Sequence, residues 1–330
     1  MRLFTAAAIA ALAATAALAA TAASAQTVTQ RYPMPDGGWD YLSFDPGSHR
    51  VFAGRSDGVA TLDVATGTVV GQLAPAQRTH AALVAGTTGM GAVTSGTAGG
   101  VVLFDATTGA VKATVPTGPK PDAAIYEPMS RTVLVMDNKV GTVTMVDPVT
   151  AKVTGTVAVG GALESPALDG RGMLYVAVED KGEIAAVDLR TKAVRHMKVA
   201  GCEEPAGLAL TSHNVLIATC ANRVAKAVDA ATGATIADLP IGSGPDSVIY
   251  DAKRERAYVA TGRDGMMAVI DTSDRTPKVI ASVATQTGAR TGAVDPATGI
   301  VYLIAAKYEP AVAGARPKAV PGTVEILAVK

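Results

Sequence analysis

The chain has 330 residues, 29 Lys+Arg against 29 Asp+Glu, and only 4% aromatic residues. That balance argues against the basic, aromatic-laced surface that nucleic acid requires. The length is ample for one domain with a substantial core and does not demand a second.

Residues 1–25 run from Arg2 through an Ala/Leu-rich stretch to Ala23-Ser24-Ala25, the pattern of a secretory signal with an A-x-A cleavage site. An uncleaved membrane anchor is the alternative, disfavoured because Ala is weakly hydrophobic and no basic stop-transfer flank follows. Cleavage would leave a mature chain of 305 residues from Gln26, with a net charge of about minus one. No later segment approaches 18 consecutive apolar residues, so no transmembrane segment is expected in the mature chain.

From Thr27 onward the chain reads as short strands. TVTQRYPM, Thr27 to Met34, belongs to no unit of its own. Then Asp63, Asp105, Asp147, Asp188, Asp229 and Asp271 recur at intervals of 42, 42, 41, 41 and 42 residues, each closing a short apolar run. A period of about 40 to 45 residues with several strands per unit marks a β-propeller blade rather than a helical solenoid. The fifth unit shows the order: GLAL at Gly207–Leu210, VLIAT from Val215, VAKAVD ending at Asp229, and ATIADLPI from Ala234. Between third and fourth strands stand DVATG, DATTG and DAATG, in which Asp and Thr bond local backbone and Gly accepts φ > 0. The recurring aspartates therefore read as turn-formers.

First strands near Tyr41, Ala81, Ala123, Ser165, Gly207, Ser247 and Thr291 give seven blades. The last lacks a fourth strand after its GTVEILAVK end, and Thr27–Met34 lacks a blade. The N-terminal strand is thus expected to close the ring in blade seven, removing an open sheet edge. The expected fold is all-β, a single seven-bladed β-propeller of four-stranded blades over 26–330.

The phrases GTVTMVDPVT, RAYVATGRDGMMAVIDTS and MLYVAVEDKGEIAAVDLRT, each followed by a turn, resemble the YVTN-repeat β-propeller family and its YncE-like bacterial members. The resemblance covers residues 27 to 330. It implies the fold and no single activity, because related propellers include surface-layer proteins, ligand binders, haem-carrying domains and lactone hydrolases.

Cys202 and Cys220 are the only cysteines, and an even count in an exported protein suggests a disulfide. One precedes the first strand of blade five and the other ends its second, so both lie at the same end of neighbouring antiparallel strands. The closed loop of about 19 residues would be worth roughly 3 kcal/mol on the chain-entropy model. Two buried free thiols, or a metal role without adjacent His, are the alternatives.

No GxSxG, HExxH, CxxC, P-loop or EF-hand string occurs, and no periodic haem or quinone motif is visible. His49, His196 and His213 read as solvated surface. His80 is different. Immediately before each first strand stand Asp40, His80, Asp122, Glu164, Ala206, Asp246 and Arg290. The first strand of a propeller blade is innermost, so these positions ring one mouth of the channel, and convergent polar groups there define a candidate binding site. Capping of the turn into each strand is the bland account of the carboxylates, but it has no use for His80 or Arg290.

Loops between second and third strands open on the same face and add Arg55, Asp137, Glu179, Arg263 and Lys307, as a second rank or as rim charges. A long connection, Glu309 to Gly322, reads as irregular and forms either a lid made cationic by Lys307, Arg316 and Lys318 or a passive insertion. Trp39, the only tryptophan, is placed either to stack on a ligand or to pack on the neighbouring blade.

Three functions are compatible with this pattern. The first is an exported, non-enzymatic propeller that binds a small ligand, a metal ion or a protein partner at the mouth. The second is a lactonase-like hydrolase in which ring carboxylates and His80 hold a divalent cation that activates water. The third is a scaffold with a merely solvated channel. Asp40, His80, Asp122, Glu164 and Asp246 are the candidate metal ligands, suited by type to Ca²⁺, Mn²⁺ or Zn²⁺.

Overall fold

The computed structural model describes residues 26–310 and 317–330. The expected signal segment 1–25 and Arg316 lie outside the described residues.

Seven four-stranded antiparallel sheets follow one another around a ring. Blade three shows why each unit folds so. Its second strand, Thr132–Asp137, is buried at every position, and its third, Thr142–Asp147, at all but its ends. Both are continuous apolar runs between turn signals, because neighbouring blades cover both faces of the sheet. The outermost strand, Lys152–Ala158, is largely exposed and buries only Val157.

The N-terminal strand closes the ring as the spacing predicts. Val28–Pro33 pairs antiparallel with Glu325–Val329, outside Val301–Ala305 and Gly292–Val294. Thr27 and Lys330 exchange backbone hydrogen bonds of 2.9 and 3.0 Å at the end of this seam. Packing closes the ring too: one core cluster joins Leu42, Val51 and Leu62 of blade one to Tyr302, Ile304 and Ile326 of blade seven. Phe44 stacks on Tyr302 with centroids 6.2 Å apart, a contact worth about 1 kcal/mol beyond its buried area.

The repeating aspartates form turns. Asp63, Asp105, Asp147, Asp188 and Asp229 each accept two backbone N–H bonds from the residues two and three positions on, and Asp271 accepts one. Gly67 and Gly109 end this turn at φ 73° and 75°, but Ala151 and Lys192 take the same position at φ 55° and 63°. The turn is therefore imposed by the aspartate, even where no glycine relieves it.

Cys202 and Cys220 form a disulfide with Cα atoms 5.2 Å apart. It ties the segment carrying Glu203 and Glu204 to the start of the next turn, where the Ala221 amide donates to the Glu203 carbonyl at 2.7 Å. Among the described residues no helix is long and apolar enough to cross a membrane.

Candidate functional site

Strand geometry aims the ring residues inward. In four consecutive blades the innermost strand shifts register at the mouth, between Trp39 and Leu42, Thr79 and Ala82, Pro121 and Ala124, and Leu163 and Pro166. Asp40, His80, Asp122 and Glu164 sit in these bulges, which bend a strand and redirect its side chains. A bulge removes ladder hydrogen bonds, and neighbouring blades supply replacements. Thr291 Oγ1 donates to the Asp40 carbonyl at 2.6 Å and Thr94 Oγ1 to that of Asp122 at 2.8 Å. Blade one makes room for His80 with Gly54, where a Cβ would overlap the His80 carbonyl.

The ring carboxylates bond side chains, whereas the turn aspartates bond backbone. His80 Nδ1 lies 2.7 Å from Asp40 Oδ2 and 3.5 Å from Asp122 Oδ1. One ligand atom from each of these three residues falls within 4.8 Å of the others. Lys120 Nζ is 3.9 Å from Asp122 Oδ2; Arg290 Nη2 is 3.9 Å from Asp40 Oδ1, while its Nε donates to Asp246 Oδ2 at 2.7 Å. Burial pushes the Asp122 carboxyl up to about 6, with His80 opposing and Asp40 adding to the shift. Asp246 rises to about 6 through burial, against the pull of Arg290. Glu164 rises to about 8, through burial and then the charges of Asp122, Glu179 and Asp246. Donation to the Asp40 carboxylate raises the His80 imidazole above its ordinary value although burial opposes it. At this mouth the carboxylates of Asp40, Asp122, Glu164 and Asp246 are interleaved with the cations of Lys120, Arg263 and Arg290.

Tyr41 closes the space below. It belongs to blade one, yet its hydroxyl donates to Glu164 Oε2 of blade four at 3.2 Å and its ring packs against the core of blades three and four. Asn138 Nδ2 donates to the other Glu164 oxygen at 2.6 Å, and Lys120 Nζ donates to Asn138 Oδ1 at 2.6 Å. The phenol thus crosses the channel and forms part of the lining of a cavity of about 840 Å³.

All six ionisable ring residues, Asp40, His80, Asp122, Glu164, Asp246 and Arg290, line this cavity. The second rank divides. Arg263 lines it too, and Glu179 lines an adjoining recess of about 160 Å³ with Glu204, Asp246 and Arg263. The recess lies where Ala206 interrupts the ring. Arg55, Asp137 and Lys307 lie elsewhere; Lys307 is an exposed rim charge, whereas Arg55 and Asp137 fit neither expected role. Arg55 is wholly buried, donates to the Pro35 and Asp36 carbonyls and pairs with Asp57 at 3.3 Å. Asp137 is buried and accepts the Lys120, Lys139 and Val140 amides, so it builds a turn. Lys307 borders a separate cavity of about 400 Å³ with Arg31 and Gln286.

The connection from Glu309 to Gly322, expected to be irregular, is stapled at its base by a bridge between Tyr308 and Ala319. The Gly322 amide donates to the Asp36 carboxylate at its far end. Trp39 packs against the core cluster shared by blades one and seven, and it also borders a cavity of about 540 Å³ with Arg290 and Tyr308. Sequence reasoning missed Tyr41, Lys120, Asn138 and Tyr308. One signal was present: the residue following each ring position is Tyr41, Ala81, Ala123, Ser165, Gly207, Ser247 or Thr291, and only one of these is large.

No protein-family model matches the chain, and no curated protein matches its sequence. Solved structures match in shape. A chain of Kuenenia stuttgartiensis Hydrazine Synthase gives a TM-score of 0.73 at 13% identity, over 82% of this chain and 93% of that one. The RRP9 WD40 repeats give 0.76 at 9% identity, over 91% and 97%. A chain of the Mitotic Checkpoint Complex gives 0.74 at 14% identity, over 99% and 98%. At such identities the likeness shows the fold alone, a seven-bladed β-propeller.

Proposed function

We propose that this chain is an exported, YVTN-type propeller that binds a divalent cation at the mouth of its central channel, alone or with a small ligand. One observation carries the reading: Asp40, His80 and Asp122 bring a nitrogen and two carboxylate oxygens from three successive blades within 4.8 Å of one another. The carboxylates around them are held high by burial and mutual repulsion, and a cation relieves both. Mixed imidazole and carboxylate donors suit Mn²⁺ or Zn²⁺ better than Ca²⁺. Export is supported by the A-x-A leader pattern and by the Cys202–Cys220 bridge, which persists in an oxidising compartment.

The hydrolase reading rests on Glu164, which burial in the same cavity raises to about 8, where it would hold the proton a general acid needs.

Calorimetry on chelator-stripped protein tests the binding reading. One Mn²⁺ or Zn²⁺ site is expected, with affinity about 10- to 100-fold lower in Asp122→Asn while circular dichroism is unchanged. Absence of binding in the wild type, or equal affinity in the variant, overturns it. Turnover of an ester and lactone panel only by metal-loaded protein would move the assignment to the hydrolase.

A further inference from the structure

The cation site is bracketed by fixed positive charge. Lys120 Nζ lies 3.9 Å from Asp122 Oδ2 and Arg290 Nη2 lies 3.9 Å from Asp40 Oδ1, so both carboxylates of the cluster already face a cation. Arg263, exposed on the turn between the second and third strands of blade six, lines the same cavity. A bare divalent ion entering here meets like charge on two sides. A metal carrying its own anionic ligand does not.

Cavity size points the same way. A water molecule takes about 30 Å³ of liquid volume, and organic-ligand sites run from about 300 to 1,000 Å³. At about 840 Å³ this cavity is sized for an organic molecule rather than for one hydrated ion.

The arginines are also seated. Gly244 has φ 73°, and a Cβ there would come within 2.7 Å of Arg263 Cγ; a Cβ at Gly262 would come within 3.0 Å of Arg290 Cβ. Both stems run close to backbone where a Cβ would crowd them, and Asp246 and Asp40 further orient the Arg290 fork. A planar fork with several donors matches a carboxylate in two parallel bonds. The Tyr41 and Tyr308 rings supply apolar wall between the charged groups.

We infer that the channel mouth takes its divalent cation as the complex of a small polycarboxylate: Asp40, His80 and Asp122 hold the metal, while Arg263, Arg290 and Lys120 hold the ligand's carboxylates. This rests on the cation-binding reading above, and the test separates the two.

Citrate with Mn²⁺ is the probe. Free citrate competes for Mn²⁺, so a protein site that accepts only the ion loses metal as citrate is added. The inference requires the reverse. Mn²⁺ affinity should tighten about tenfold in the presence of citrate, and radiolabelled citrate and Mn²⁺ should remain bound in equal amounts after equilibrium dialysis. Acetate, with one carboxylate, should give no gain. Arg263→Ala, at an exposed position, should abolish the citrate gain while leaving the affinity for Mn²⁺ alone within about threefold of wild type. If Mn²⁺ binds but citrate strips it, or if Arg263→Ala keeps the full gain, the inference is wrong and the simple cation site stands. If Mn²⁺ binds neither with nor without citrate, both readings fall.

Discussion

Two sets of carboxylates stand at opposite ends of this propeller, and their chemistry runs in opposite directions. At the turns between third and fourth strands, backbone N–H groups pull the carboxyls of Asp63, Asp105, Asp147, Asp188, Asp229 and Asp271 below their ordinary values. At the channel mouth, burial pushes Asp122, Glu164 and Asp246 upward. The turn donors belong to the backbone, so each of blades one to six offers the same environment and the same residue satisfies it. The mouth residues are one another's environment. Carboxylates at all seven ring positions would repel one another, so the ring must vary, and His80, Ala206 and Arg290 are that variation. Repetition marks what the chain needs to fold, and variation at an aligned position marks what it holds in place at an energetic cost.

The largest effect that can break this contrast lies at Glu164. Its carboxyl titrates near 8 in the folded protein against an ordinary value of 4.5. Folding is therefore favoured fully while the group is protonated in both states, below about pH 4.5, and that contribution drains away as pH rises toward 8. Glu164→Gln keeps the shape and hydrogen-bonding capacity toward Tyr41 and Asn138 but cannot ionise. Urea denaturation at pH 8 should show the variant more stable by on the order of 2 kcal/mol, with no difference at pH 4. A variant less stable at pH 8 would mean that the charged carboxylate is compensated, and the contrast between the two ends would collapse.

The period and the turn chemistry make the blades and the ring positions legible in sequence, because both are local. What escapes is set by partners distant in sequence. Tyr41 is one residue past a ring position, and nothing around it announces that its hydroxyl meets Glu164, 123 positions away. The register shifts that turn Asp40, His80, Asp122 and Glu164 toward the cavity arise from pairing with the second strand, so residue types alone do not display them. Two second-rank positions miss the site by a single residue. The choice of Asp137 passes over Asn138, which reaches Glu164, and the choice of Lys307 passes over Tyr308, which lines the cavity. Neighbouring residues in extended chain point to opposite sides, so a shift of one position replaces a site residue with a structural one.

A smaller effect sharpens the other half of the contrast. Asp63 Oδ1 accepts the Ala65 and Thr66 amides at 3.1 Å each, and Asp63→Ala returns both donors to water. Calorimetry at pH 7 should show a melting temperature lower by about 3 °C. Because the folded carboxyl titrates below its ordinary value of 3.8, its contribution is present above that pH and lost as pH falls through the folded value. The gap between variant and wild type should narrow below pH 3.8, and Mn²⁺ affinity should not change. A changed affinity would show that the turns are coupled to the mouth.

The smallest effect concerns the turn that keeps its shape without glycine. Ala151 is held at φ 55°, where an L-residue's Cβ crowds the following carbonyl at a cost of about 1 kcal/mol. Ala151→Gly removes that crowding, but it also frees the unfolded chain, which costs about 0.4 to 1 kcal/mol. The two terms nearly cancel, so the melting temperature should rise by no more than about 2 °C. The sign carries the information. A small rise or no change means that the Asp147 hydrogen bonds to Val149 and Thr150 impose the left-handed residue against its own preference, as the repeated aspartate requires. A fall of several degrees would mean that Ala151 contributes packing of its own, and that this turn is held by its neighbours rather than by its aspartate.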